Sequence, residues 1–122
     1  MATRELTEAN FSQVVDDNAI VLVDFWATWC PPCRIFGPIF EKASERHPDI
    51  VFGKVDTDAE PALAQAHDVM SIPTIVAIRD GIVLHAQAGA LPERALEELI
   101  GKVRALDMAT VHDELANRQQ AG

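Results

Sequence analysis

No apolar run in this 122-residue chain approaches the roughly 18 to 20 residues that a membrane-spanning helix needs. The opening "MATRELTEANFSQ" has no basic segment followed by an apolar stretch, which excludes a reading as a secretory signal. Basic residues are scarce: ten Lys and Arg face nineteen Asp and Glu, a formal charge of -9 at pH 7. A field of that sign repels nucleic acid and anionic lipid, so neither a nucleic-acid nor a membrane partner is expected. Cysteine is nearly absent, and two residues cannot build the disulfide framework of a small secreted domain. A cytoplasmic location follows as the expectation. Six glycines and seven prolines are too few for a collagenous or low-complexity chain. With no internal repeat and no linker, the length bounds one globular domain that removes roughly two-thirds of its unfolded surface from water. A soluble monomer is expected.

What is present is ordered as strands alternating with helices. "AIVLVDFWATW", from Ala19, opens with apolar residues on both faces, the pattern of a central strand covered on both sides. "IVFGKVDTD" and "TIVAI" read as two more strands. Between the first two lies "PCRIFGPIFEKASERH", with Ile35, Ile39 and Ala43 at helical spacing beside Phe36 and Phe40, and charges opposite. Pro38 should bend this helix without ending it, since the apolar period continues past it. "DAEPALAQAHDV" predicts a short helix with Pro61 in its first turn. "RDG" then predicts a tight hairpin into "IVLHAQA", so the last strand runs antiparallel to its neighbour. "LPERALEELIGKVRAL" closes the domain as an amphipathic helix. Ahead of the first main strand, "TEANFSQVVDD" predicts a short helix with Thr7 as N-cap. Residues 107–122 carry a weak Met108, Val111, Leu115 stripe and are expected to form a marginal helix or a flexible tail, an extension to a domain of residues 1–106.

Both cysteines sit in "WCPPC", Trp29 to Cys33, where a central strand gives way to a helix. Unpaired amides and the positive end of the helix dipole favour an anion there, and a thiolate is one. Cys30 is therefore expected to be the exposed, acidified, attacking sulfur, with Cys33 more buried and acting second. The spacing lets the pair close a disulfide without refolding. Zinc ligation and a permanent staple are the alternatives. Zinc needs four protein ligands, and His47, His67, His85 and His112 lack ligand spacing to each other or to the cysteines; a loop this short gains little from a staple. No bound cofactor is expected beyond the Cys30-Cys33 disulfide itself. Residues preceding proline avoid the helical region, so Cys30 and Pro31 should be extended and the helix should begin at about Pro32. Pro31 and Pro32 also lack N–H groups. Fewer donors should leave Cys30 less acidified and the site at least as reducing as one with glycine at position 31.

Asp24 interrupts "VLVDFW" where its neighbours argue for burial, and a buried carboxylate needs a reason. A proton acceptor for the Cys33 thiol, its pKa raised by desolvation, is one; a strand-end Asp reaching solvent is the other. Lys54 on the next strand is its candidate partner. "SIPT" puts Pro73 at a strand entrance, where it has no ladder bond to donate; most X–Pro bonds are trans, so position alone gives no reason for a cis Ile72–Pro73 bond.

Taken together, "VDFWATWCPPC", the proline-bearing helix after it, "SIPT" before a strand and "GA" after the last strand resemble the thioredoxin family over about residues 5 to 106. The resemblance implies an α/β thioredoxin fold, a central mixed sheet of four to five strands with helices on both faces. It implies protein disulfide reduction by dithiol–disulfide exchange, with re-reduction by an NADPH-dependent flavoprotein, thioredoxin reductase. By position, Cys30 is the nucleophile, Cys33 the resolving thiol, Asp24 the buried acid/base with Lys54 beside it, and Pro73 a cis-proline facing the disulfide. Trp29, Ile72, Pro73, Gly89 and Ala90, with Pro31 and Pro32 at the rim, would line a groove for an extended substrate peptide. Pro-Pro between the cysteines departs from the family's usual Gly-Pro. His67 stands near where many relatives carry an aromatic residue, and packing is its expected role. A thiol oxidase or isomerase, or a non-catalytic binding or metal-binding module, are the competing functions.

Overall fold

A computed structural model describes the backbone of residues 2–121 and the side chains through Arg118; Met1 and Gly122, the outer ends of the two expected segments, lie outside the described residues. Five strands form one sheet in the order β1-β3-β2-β4-β5. The central strand β2 (Ile20–Trp26) is parallel to β3 (Val51–Asp56), which is parallel to β1 (Thr3–Glu5). On its other side β2 pairs antiparallel with β4 (Thr74–Arg79), and β4 antiparallel with β5 (Ile82–Ala88). Among the described residues no helix is long and apolar enough to cross a membrane.

The period of two in β2 sorts its side chains between two cores. Ile20 and Leu22 face α2 (Pro31–Arg46) and α4 (Glu93–Ala105), where Phe36 and Phe40 meet Phe52, Leu96 and Ile100. Val21, Val23 and Phe25 face α1 (Phe11–Asp17) and α3 (Pro61–Ala66), where Phe11, Val14 and Leu63 close the other side. Fully burying each such side chain contributes about 1.5 to 3 kcal/mol, which makes the double-sided coverage of β2 the main source of stability. Pro38 lies exposed within α2, and the helix continues to Arg46 as its apolar period requires.

The predicted hairpin joins β4 to β5 through Asp80 (φ 53°) and Gly81 (φ 77°), both in the positive-φ region that a two-residue type I′ turn needs. Ile78 pairs with Val83 but Ala77 with His85, so Leu84 forms a bulge in β5.

One expectation about the N-terminal segment is corrected, and one element there is not anticipated. Thr7 does not cap α1: the helix begins at Phe11 after Asn10, and the Thr7 carbonyl accepts from the Asn10 and Phe11 amides in a preceding turn. Strand β1 goes unpredicted because "TRE" has no apolar alternation. It exists through pairing with β3 and through Leu6, fully buried over Gly53.

After α4, α5 (Met108–Ala121) is one continuous helix with Met108, Val111 and Leu115 half-buried. Asp107 starts it, its carboxylate accepting from the Ala109 amide at 3.0 Å and the Thr110 hydroxyl at 2.9 Å. The Arg79 guanidinium donates to the carbonyls of Val103, Arg104 and Leu106 where α4 ends, satisfying groups the helix cannot.

Candidate active site

Four chain segments reach the same edge of the sheet. β2 and β3 are parallel, so Trp26 and Asp56 end side by side, while β4 begins there because it runs the other way, with Thr74 opposite Phe25. β5 returns to that edge, with Ala88 opposite Thr74. The cysteines follow β2, Thr57 and Asp58 follow β3, Ile72 and Pro73 precede β4, and Gly89 and Ala90 follow β5. The Gly89 amide donates to the Pro73 carbonyl at 2.8 Å, and at φ 105° glycine is the residue that adopts this backbone freely. The Ile72–Pro73 bond is cis, so the default from position is corrected and the family expectation holds.

Cys30 and Cys33 form a disulfide. Cys30 is the N-cap of α2 at φ -96°, ψ 108°, and the Cys33 amide donates to its sulfur at 3.3 Å. The Ile72 carbonyl oxygen lies 3.7 Å from the same sulfur. Neither cysteine is exposed: relative exposures are 2% for Cys30 and 5% for Cys33, since both pack with Ala27, Trp26 and Ile72. The expected contrast in accessibility is thus corrected for the oxidised form. What distinguishes the sulfurs is the amide donor and helix terminus at Cys30, which stabilise negative charge on that atom.

The helix start also differs from expectation. Pro31, not Pro32, is the first helical residue, because a proline φ suits that position and the Arg34 amide already bonds the Cys30 carbonyl at 3.2 Å. The expected loss of a thiolate donor at Pro31 is corrected with it. A capping side chain accepts from the second or third helical amide; the third is Cys33, the second is Pro32, and position 31 is out of play.

Asp24 is fully buried, and neither carboxylate oxygen has a hydrogen-bond partner among the described residues. Desolvation pushes its pKa from 3.8 up to about 7, against the attraction of the Lys54 ammonium, which lowers it. Lys54 pairs with Asp24 across β2 and β3, and its ammonium lies 4.8 Å from the Trp26 ring centroid. The solvent-reaching reading of Asp24 is excluded. Lys54, Trp26 and Cys33 border one cleft of about 490 Å³, which brings the lysine beside Asp24 in the sheet and the second cysteine to a common space.

Trp29 is 63% exposed beside the disulfide, and its indole N–H donates to the Asp58 carboxylate at 2.9 Å. Sequence reading missed Asp58, although the parallel course of β2 and β3 places whatever follows β3 at this edge. It also missed Met70, which stands open and shares with Trp29 and Ile72 an apolar cleft of about 400 Å³. Pro31 and Pro32 are exposed, Pro73 buried, and Gly89 and Ala90 open to solvent. The histidines have other partners: His47 bonds Glu97 at 2.8 Å, His85 bonds Gln87 at 2.9 Å, His112 faces Asp80 at 3.7 Å, and His67 packs between Phe11 and Phe25.

Comparison with known proteins adds independent findings. The thioredoxin family model matches residues 2–102. A protein described as putative thioredoxin 2 from Streptomyces coelicolor is 56% identical, over 99% of this chain and 91% of that protein. The thioredoxin of Alicyclobacillus acidocaldarius is 38% identical over 84% of this chain and 98% of its own. Among solved structures, a mutant thioredoxin from Halobacterium salinarum superposes with a TM-score of 0.80 at 34% identity, covering 86% of this chain and 93% of that one.

Proposed function

Because the chain belongs to the thioredoxin family and is a thiol–disulfide oxidoreductase that reduces protein disulfides, we propose that Cys30 is its attacking sulfur, Cys33 its resolving sulfur and Asp24 its proton acceptor. In the reduced protein the Cys30 thiolate attacks one sulfur of a substrate disulfide. That bond breaks, the departing substrate sulfur takes a proton, and a mixed disulfide joins substrate to Cys30. Cys33 then loses its proton to Asp24 and attacks the Cys30 sulfur. The bond between Cys30 and the substrate breaks, the second substrate sulfur leaves and takes a proton, and the Cys30-Cys33 bond closes, so two electrons have passed to the substrate. Asp24 suits the step because a base with a pKa of about 7 is half-ionised near neutrality, and Lys54 steadies its charged form.

The observation that carries this assignment is the Cys33 amide directed at the Cys30 sulfur at the head of α2. Substrate chains lie, on this reading, in the groove between Trp29 and the Ile72–Pro73 turn, with Gly89 and Ala90 as its far wall and Pro31 and Pro32 at its rim. Electrons return from an NADPH-dependent flavoprotein reductase in a reducing cytoplasm. Residues 1–106 act as the catalytic domain, and residues 107–122 are an extension outside the chemistry.

Insulin-disulfide reduction, driven first by dithiothreitol and then by a flavoprotein reductase with NADPH, tests the activity and the partner. Cys33→Ser should accumulate mixed disulfides through Cys30, whereas Cys30→Ser should not. Equal trapping by both variants would overturn the assignment of roles.

A further inference from the structure

We propose that Met70 is a peroxide-sensitive modification site, and that its sulfoxide weakens the docking of protein disulfides while leaving the dithiol intact. The proposal rests on the reading of this sheet edge as the place where substrate chains lie. Met70 is 93% exposed, the most open of the large apolar side chains among the described residues. Its neighbours fix where it stands: the Val69 amide donates to the Ala64 carbonyl at 3.0 Å before it, and the Thr74 hydroxyl donates to the Ser71 carbonyl at 2.6 Å after it. The stretch between α3 and β4 is thereby pinned, and Met70 borders a cleft walled mainly by Trp29, Ile72, Val69 and Ala64. Two residues on, the Ile72 carbonyl lies 3.7 Å from the Cys30 sulfur, so this cleft opens beside the reacting bond. A protein disulfide presented to Cys30 lays the side chains flanking its cysteine against these walls, and an apolar one suits them.

Access decides which sulfur an oxidant meets. In the oxidised protein Cys30 and Cys33 are bonded to each other and buried. Of the other sulfurs, Met108 is half-buried at the start of α5, and Met1 lies outside the described residues. Met70 is the open thioether, and susceptibility follows exposure. With hydrogen peroxide as the oxidant the step balances. The Met70 sulfur attacks one peroxide oxygen, an S–O bond forms as the O–O bond breaks, the sulfur gives up two electrons, and the second oxygen leaves with both protons as water. A flexible apolar side chain becomes a polar, chiral one, and reductases specific for each sulfoxide epimer restore it. In the free protein the sulfoxide keeps its water. A docked apolar side chain would strip that water away, so the cost falls on binding and not on the fold.

The test treats the full-length oxidised protein with hydrogen peroxide, removes the peroxide, reduces the disulfide with dithiothreitol and then removes that too. Peptide mass mapping should find oxygen added to Met70 at least about three times faster than to Met108. The reduced protein is then reacted separately with insulin and with glutathione disulfide, a small disulfide without apolar side chains, and closure of Cys30-Cys33 is followed by alkylation and mass. Peroxide treatment should lower the rate constant with insulin about three- to tenfold, the worth of one lost apolar contact, and leave that with glutathione disulfide unchanged. The insulin response should disappear in Met70→Leu and persist in Met108→Leu. Equal oxidation of Met70 and Met108, an unaltered insulin rate with Met70 fully converted, a parallel fall with both disulfides, or a response retained in Met70→Leu would each overturn the proposal. Failure to reduce insulin before any peroxide is added would instead overturn the substrate reading beneath it.

Discussion

Replacing Asp24 by asparagine should stabilise the oxidised protein in alkaline solution and leave it nearly unchanged in acid. The carboxyl group is fully buried, has no hydrogen-bond partner among the described residues, and its pKa rises from 3.8 to about 7. At about 1.4 kcal/mol per pKa unit, ionised Asp24 withdraws on the order of 4 kcal/mol of stability well above pH 7. The sign follows from proton counting. Between the unfolded and folded values the native state keeps the proton that the unfolded chain has lost, so stability falls as pH rises through the window from about 4 to about 7. Above that window the penalty is complete. Asparagine does not titrate, so the gain from Asp24→Asn should be near zero at about pH 4 and approach about 4 kcal/mol by about pH 8.5. That is a large share of the roughly 5 to 15 kcal/mol typical of a domain. Urea unfolding of both oxidised proteins across this range, followed by far-UV circular dichroism, measures it. A difference that stays constant with pH, or that grows toward acid, would refute the reasoning. The same variant should slow the resolving step at neutral pH, since burial makes Asp24 both costly and basic enough to take a proton from a thiol.

Gly53→Ala should destabilise the fold by about 1 to 3 kcal/mol in chemical unfolding, because a Cβ there would collide with Leu6 Cδ1 while the sheet holds the backbone on both sides. His67 sits between Phe11 and Phe25, and burial lowers its pKa below the ordinary 6.5. The unfolded chain therefore takes up this proton first and native stability is lost as pH falls through that value; His67→Phe should remove this part of the acid sensitivity, read as a smaller drop in melting temperature between about pH 7.5 and about pH 5.5. Asp107→Ala should fray the first turn of α5, visible as faster hydrogen exchange at Ala109 and Thr110 while the sheet amides are unaffected.

Much of this protein is written in local pattern. The continuous apolar run of β2, the 3.6-residue period of α2 and α4, and the Asp80-Gly81 turn each follow from short-range physics, and each is where the sequence places it. The dithiol is legible too, since two cysteines at a strand-to-helix junction admit few chemistries. Features that depend on a partner distant in sequence were not legible. β1 has no pattern of its own and is a strand only because β3 offers it an edge. Asp58 and Met70 join the site because two chain segments turn back to the end of β2, and nothing within either segment records that. The burial of Cys30 needs Ile72 above it, and the basicity of Asp24 depends on the water excluded by α2 and the sheet together. The chain by itself determined which atoms could react, because chemistry resides in residue types. Tertiary structure decided their exposure and the protonation of Asp24, because packing and desolvation are properties of surroundings that no single segment contains.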